Sequence, residues 1–166
     1  MTNLIERSDY LIAFTDGSCL KNGAEENSGG FGVVILDDNG KFNSCYRKDN
    51  INTTNNREEL RAILYVMLNY GRMRPAPTVY SDSAYCVNTL SQWIFNWARN
   101  GWLKSDNKPP ENLDLIKVFY EYYQKGYQIN LLKIKGHNGH EWNEIADGLA
   151  TGRLSVEEIE RKYNGR

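Results

Sequence analysis

The stretch TTNNREELRAILYVML, residues 53–68, decides how the chain is read. Its second half places Leu60, Ile63, Leu64, Met67 and Leu68 at the spacing of one apolar face, so a helix begins here and ends near Gly71. Its first half is small and polar, followed by an arginine and two glutamates. Such residues suit a helix start, where short side chains such as Asn55 or Asn56 cap free backbone N–H groups and carboxylates favour the positive end. Glu59, in the expected first turn, is either an ordinary helix-start carboxylate or one of several acids gathered around a metal. Acids elsewhere in the chain decide between the two.

Upstream, YLIAFTDGS (10–18) starts as an apolar strand and turns polar at its end, where Asp16 precedes Gly17 and Ser18. GGFGVVIL reads as a second strand, Asn39-Gly40 as a hairpin turn, and KFNSCYRK as a returning third strand. Downstream, RPAP stops the helix and TVYSDS gives a short strand finishing on Asp82. A helix is expected over 84–98, an irregular charged excursion over RNGWLKSDNKPPEN, a helix over about 111–125, a strand in YQINLLKIKG and a helix in HEWNEIADGLATG. Ser155 and Glu158 have capping-box spacing, which predicts a short C-terminal helix. Three strands, helix, strand, two helices, strand, helix call for an α/β fold with a mixed sheet covered by helices.

The 166 residues fit a single domain, 1–166, with 40% apolar and 25% charged residues. No apolar run reaches membrane-spanning length and the first residues carry acids in place of a secretory core, so a cytoplasmic chain with no membrane partner is expected. Cysteines at 19, 45 and 86 lack metal-site spacing, which fits a reducing compartment. The net charge of −1 does not announce nucleic acid, but residues 91–136 hold seven Lys/Arg against four Asp/Glu. No heptad series argues for an oligomer, so a monomer is expected.

Asp16 and Asp82 end apolar strands, where α/β sheets display functional groups, while Glu59 starts one helix and Asp147 borders the apolar face of another. Packed side by side they would repel unless protons or cations compensate. All-oxygen donors suit Mg2+ or Mn2+, and two such ions about 3.5–4 Å apart can activate water and stabilise a leaving oxygen in phosphodiester hydrolysis. HNGH, with two histidines and no nearby cysteine, makes a poor zinc site. SDNK at 105–108 overlaps fragments of a β-lactamase signature but lacks KTG.

FTDGSC, TTNNREEL, YSDSAY, QWIFNW, NGW and KGHNGHEWNEIADGLA, in this order over about residues 10–150, resemble the type 1 ribonuclease H family. The resemblance implies a ribonuclease H-like fold, a five-stranded mixed sheet flanked by helices. It also implies two Mg2+ ions, with Mn2+ an alternative, and internal cleavage of the RNA strand of an RNA-DNA hybrid to leave 5'-phosphate and 3'-hydroxyl ends. Asp16, Glu59, Asp82 and Asp147 match the metal-binding acids and His137 the catalytic histidine, with His140 less favoured. Glu58, one residue too early, would face solvent or pair with a neighbour.

By the same resemblance, Cys19, Asn22, Asn55, Asn56 and Ser83 would line the minor groove of the hybrid, and Thr54 and Arg57 would hold a DNA phosphate. The excursion from Trp93 resembles a substrate handle, with Trp93, Trp102, Arg99, Lys104 and Lys108 as its contacts and some tryptophans packing it internally. LKNGAEENSGG departs from the family's compact GNPGPGG, and Ala84 stands where the family can carry glutamine. Both departures bear on substrate contacts, not on metal chemistry. The alternatives are a DNA-processing nuclease or strand-transfer enzyme of the same fold, and a nonenzymatic hybrid-binding module. The complete set of acids favours the hybrid nuclease.

Overall fold

The computed structural model describes residues 5–6, 10–20, 27–134 and 140–164. Alternation of side chains between two faces builds β1 (Ile12–Leu20), β2 (Ser28–Leu36) and β3 (Phe42–Ile51) into an antiparallel meander. The β2–β3 turn is closed by Asp37, whose carboxylate accepts from the Asn39 and Lys41 amides at 2.9 Å, and by Gly40 at φ 78°.

A parallel neighbour for β1 needs a crossover, and α1 (Asn55–Tyr70) supplies it before β4 (Thr78–Ser81). The segment expected as one helix over 84–98 is α2 (Ala84–Asn88), a π turn (Thr89–Trp93) and α3 (Ile94–Arg99). Next come α4 (Leu113–Gln124), β5 (Asn130–Lys133), which pairs parallel with β4, α5 (Glu141–Thr151) and α6 (Val156–Asn164). The reading of a strand from residue 127 overruns because the amide of Gln128 donates to Gly71 O at 2.8 Å, tying the approach to the α1 end before sheet pairing begins. The five strands lie in the order β3-β2-β1-β4-β5. A two-residue parallel pair, Ile5–Glu6 with Met73–Arg74, stands apart from this sheet and had no signal in the sequence.

Period-two burial gives the sheet two dry faces. Ala13, Val33 and Ile35 meet Leu60, Ile63, Met67, Leu90 and Phe119, whereas Phe14, Val34 and Leu36 meet Ile145, Leu149 and Ile159. On the second face α6 starts with a reciprocal capping box: the Ser155 amide donates to the Glu158 carboxylate at 2.6 Å and the Glu158 amide to the Ser155 hydroxyl at 3.2 Å.

Two glycines let helices touch the sheet backbone next to Asp16. A side chain on Gly17 would run into the Glu58–Glu59 backbone of α1, and one on Gly32 into the Ala146 carbonyl and Leu149 of α5. Gly32 is the register partner of Asp16 across β1 and β2. Sheet and helices are thereby drawn together where the acids lie.

Candidate active site

Asp16 projects from the middle of β1, which does not end at the acid as expected but keeps pairing with β2 as far as Leu20; Glu59 projects from α1, and Asp82 from the junction between β4 and α2. One carboxylate oxygen from each lies within 4.8 Å of the others. The Asp82 junction is fixed by its neighbours: Ser83 donates its amide to Ser81 Oγ at 3.1 Å, and its hydroxyl caps α2 by accepting from the Cys86 amide at 3.1 Å. Asp147, on α5, lies outside that tightest set, near enough for its charge to help raise the Asp16 carboxyl. Its outer oxygen lies 3.5 Å from the Arg153 guanidinium. Three of the four expected acids are thus grouped, with Asp147 beside them. Glu59 sits just beyond the first helical turn, not within it, because Thr54 is the cap and α1 begins at Asn55.

The electrostatics are those of acids held short of charge. Burial pushes the Asp16 carboxyl up to about 7; the hydrogen bond with Glu59 pulls it down, while the charges of Asp82 and Asp147 add to the rise. Glu59 is raised well above the ordinary carboxylate range by burial first and by the Asp16 charge second. Carboxylates crowded in this way favour a proton or a cation between them over two bare charges. Glu59 Oε2 is buried with no hydrogen-bond partner among the described residues, an arrangement that costs free energy unless something binds there. Clustered carboxylates, an orphaned oxygen and raised pKa values fit a hard divalent cation.

Of the two places expected for Glu58, the structure shows the pairing with a neighbour and not the solvent-facing one. It is wholly buried, accepts from Thr53 Oγ1 at 2.6 Å and Asn50 Nδ2 at 2.7 Å, and is ion-paired with Arg61. The Glu–Arg spacing of three residues within a helix was the available signal. Asn27 had none. Its side-chain amide donates to Thr53 O and accepts from Thr53 N, both at 2.8 Å, clamping the approach to α1 against the start of β2.

The clamp leaves Asn55 and Asn56 as the opening residues of α1, and the Cys19 thiol 3.5 Å from Thr53 O. Thr54, expected to hold a phosphate, caps α1 by accepting from the Arg57 amide at 3.1 Å. The Arg57 guanidinium grips Asp114 at 2.8 and 3.0 Å and Asn112 at 3.3 Å, so a phosphate must compete with an acid that Arg57 holds down to about 2. Asn22 and His137 lie outside the described residues. His140 precedes α5 with its ring 4.7 Å from Phe14.

The handle separates into inward and outward groups. Trp102, held at φ 64°, packs edge-on against Tyr120 at 5.3 Å, so its body is structural. Trp93 is partly exposed beside Trp97, with ring centroids 5.9 Å apart. Arg99, on α3, reaches Asn96, and Lys104 lies 3.9 Å from Asp106, whose carboxylate also accepts from the Lys108 amide. These three cations are not brought to the acids; they form a separate outward-facing group.

Comparison with known proteins agrees with this arrangement. A family model described as RNase H matches residues 8–155. Ribonuclease HI of Haemophilus influenzae is 43% identical over 137 residues, covering 82% of this chain and 84% of the relative. The structure of LC9-RNase H1, described as a type 1 RNase H with the type 2 active-site motif, superposes with a TM-score of 0.69 at 27% identity, covering 93% of this chain and 82% of that one. The solution structure of the PFV RNase H domain shares the fold, with a TM-score of 0.74 at 22% identity and coverage of 86% and 92%. A family match spanning most of the chain, joined to buried acids converging beside Gly17 and Gly32, makes this chain a member of the type 1 ribonuclease H family.

Proposed function

We propose that the chain binds two Mg2+ ions, with Mn2+ as a substitute, through Asp16, Glu59, Asp82 and Asp147, and cuts the RNA strand of RNA-DNA hybrids internally to leave 5'-phosphate and 3'-hydroxyl ends. The carrying observation is the cluster of Asp16, Glu59 and Asp82, two of them buried, with its orphaned Glu59 oxygen. When bound, the cations supply an activated water and charge stabilisation for the departing oxygen. The protein's own contribution is positional: main-chain contact at Gly17 and Gly32 holds Glu59 and Asp147 against the strand carrying Asp16. Asn55, Asn56, Ser83 and Cys19 offer short polar groups suited to a 2'-hydroxyl and base edges in the minor groove. Outside the acid set, His137 exchanges a proton near neutral pH or assists departure of the cleaved phosphate.

The handle cations Arg99, Lys104 and Lys108, with Trp93, draw in the phosphate backbone. The chain works as a monomer, and its free thiols at Cys19, Cys45 and Cys86 support a reducing, cytoplasmic setting. Strand-labelled hybrid, double-stranded DNA and double-stranded RNA, each incubated with Mg2+ or Mn2+, test the reading. Internal cuts confined to hybrid RNA are expected. Robust cutting of DNA with an intact hybrid would overturn it.

A further inference from the structure

The chain folds back on itself just beyond α5. Gly152 takes φ 79°, its amide donates to Leu149 O at 3.2 Å, and the Leu154 amide donates to Gly148 O at 3.0 Å. Leu154 then lies over Gly148, where any side chain would collide with it. This reversal carries Arg153 back along the helix, and its guanidinium arrives 3.5 Å from Asp147 Oδ2. Among the described residues, Asp147 is the one acid of the four in a salt bridge. The pair is loose, with 60% of the Arg153 side chain and 41% of the Asp147 side chain exposed.

We propose that Arg153 is the resident counter-ion of Asp147, and that displacing its guanidinium sets the concentration of divalent cation the enzyme requires. The inference rests on the reading of Asp147 as a cation ligand. An Asp147 oxygen engaged by Arg153 is less available to a metal, and a fixed positive charge nearby repels a second one. The exposed position lets the guanidinium swing into water when a cation arrives, so the pair acts as a threshold and not as a block. Glu59 presents the opposite case: among the described residues it has an orphaned oxygen and no salt bridge. Arg153 thus makes the Asp147 side of the site the weaker one.

Calorimetric and thermal-shift titration of metal-free, substrate-free protein with Mn2+ tests this directly. Arg153→Gln should lower the midpoint for the weaker cation roughly two- to fivefold, the scale set by breaking an exposed ion pair. Arg153→Lys should fall between, and Lys125→Gln, which removes a charge paired with Glu121 on α4, should leave the midpoint in place. The Mg2+ midpoint for hybrid cleavage should move in the same direction. An unchanged Mn2+ midpoint in Arg153→Gln overturns the proposal, as does weaker binding, which would make Arg153 an organiser of Asp147. A raised KM for hybrid with an unchanged cation midpoint also overturns it and makes Arg153 a phosphate contact. Asp147→Asn separates the failures: a wild-type midpoint there rejects Asp147 as a ligand and the counter-ion with it, whereas a weakened midpoint there beside an unchanged Arg153→Gln rejects the counter-ion alone.

Discussion

Glu58 and Glu59 are adjacent in sequence and both buried, yet one belongs to a closed network and the other to an open one. Glu58 is answered by Arg61, Thr53 and Asn50. Glu59 faces other acids and keeps an orphaned oxygen. A buried charge answered within the chain holds a structure together; one left unanswered stores an affinity for something from outside. The same helix start performs both tasks.

The sharpest break in the comparison is in turnover. Glu59→Gln and Asp16→Asn should each lower kcat by roughly 10^3-fold or more, because a lost ligand removes several kcal/mol of charge stabilisation. Glu58→Gln, which keeps hydrogen bonds to its neighbours, should retain most activity. Steady-state cleavage of hybrid by folded variants checks the contrast, and equal losses at the two positions would erase it.

Stability should reverse the ranking. Arg61→Leu leaves Glu58 buried without its cation and should cost about 3–5 kcal/mol by urea unfolding. Replacing Glu58 and Arg61 together by leucine should recover most of that loss, since two apolar groups need no compensation. A double variant as unstable as the single one would show that Thr53 and Asn50, not the ion pair, carry the network.

The acid set should also reveal itself through pH. Asp16 holds its proton in the folded state up to about 7 against an ordinary 3.8. Its contribution is therefore fully present below the unfolded value and is lost as pH rises through the folded one. Metal-free protein should lose on the order of 4 kcal/mol between pH 4 and pH 8 from Asp16, about three pKa units at ~1.36 kcal/mol each, and Mg2+ should restore it. Asp16→Asn should flatten that slope and raise Tm at pH 8 in chelator, while turnover collapses. Scanning calorimetry with and without Mg2+ decides; a metal-independent slope identical in wild type and variant would reject the coupling.

How much of this was legible follows from range along the chain. The apolar run GGFGVVIL and the acid that follows the short strand TVYS are local patterns, and the sheet and the grouping of Asp82 with Asp16 and Glu59 agree with them. The strand end expected at Asp16 falls short, since the strand continues to Leu20 because its second half keeps pairing with residues 28–31. The pairing of Glu58 with a neighbour was a local alternative, but its full burial was not legible because it depends on Thr53 and Asn50 in the preceding segment. Asn27, which clamps Thr53 from 26 residues away, and Arg47, which donates to Leu149 O across 102 residues, depend wholly on tertiary approach. Trp102 carries a substrate-handle signature, but its positive φ and its contact with Tyr120 turn it inward. The π turn within the helical segment at 84–99 likewise has no periodic signature that separates it from regular helix.

The smallest effect expected lies far from the acids. Converting Arg99, Lys104 and Lys108 together to glutamine should raise KM for hybrid and lessen its salt dependence, with a minor change in kcat at saturation. An unchanged salt slope in the folded triple variant would remove these cations from the interface.

Gly17 and Gly32 carry one more consequence. Because helix and sheet meet there through main chain, the backbones that bear the opposing acids stand as close as two chains can, and a single added methyl group would act as a wedge between them. Gly17→Ala would lift α1 from the strand and Gly32→Ala would lift α5, parting the acids without altering one of them.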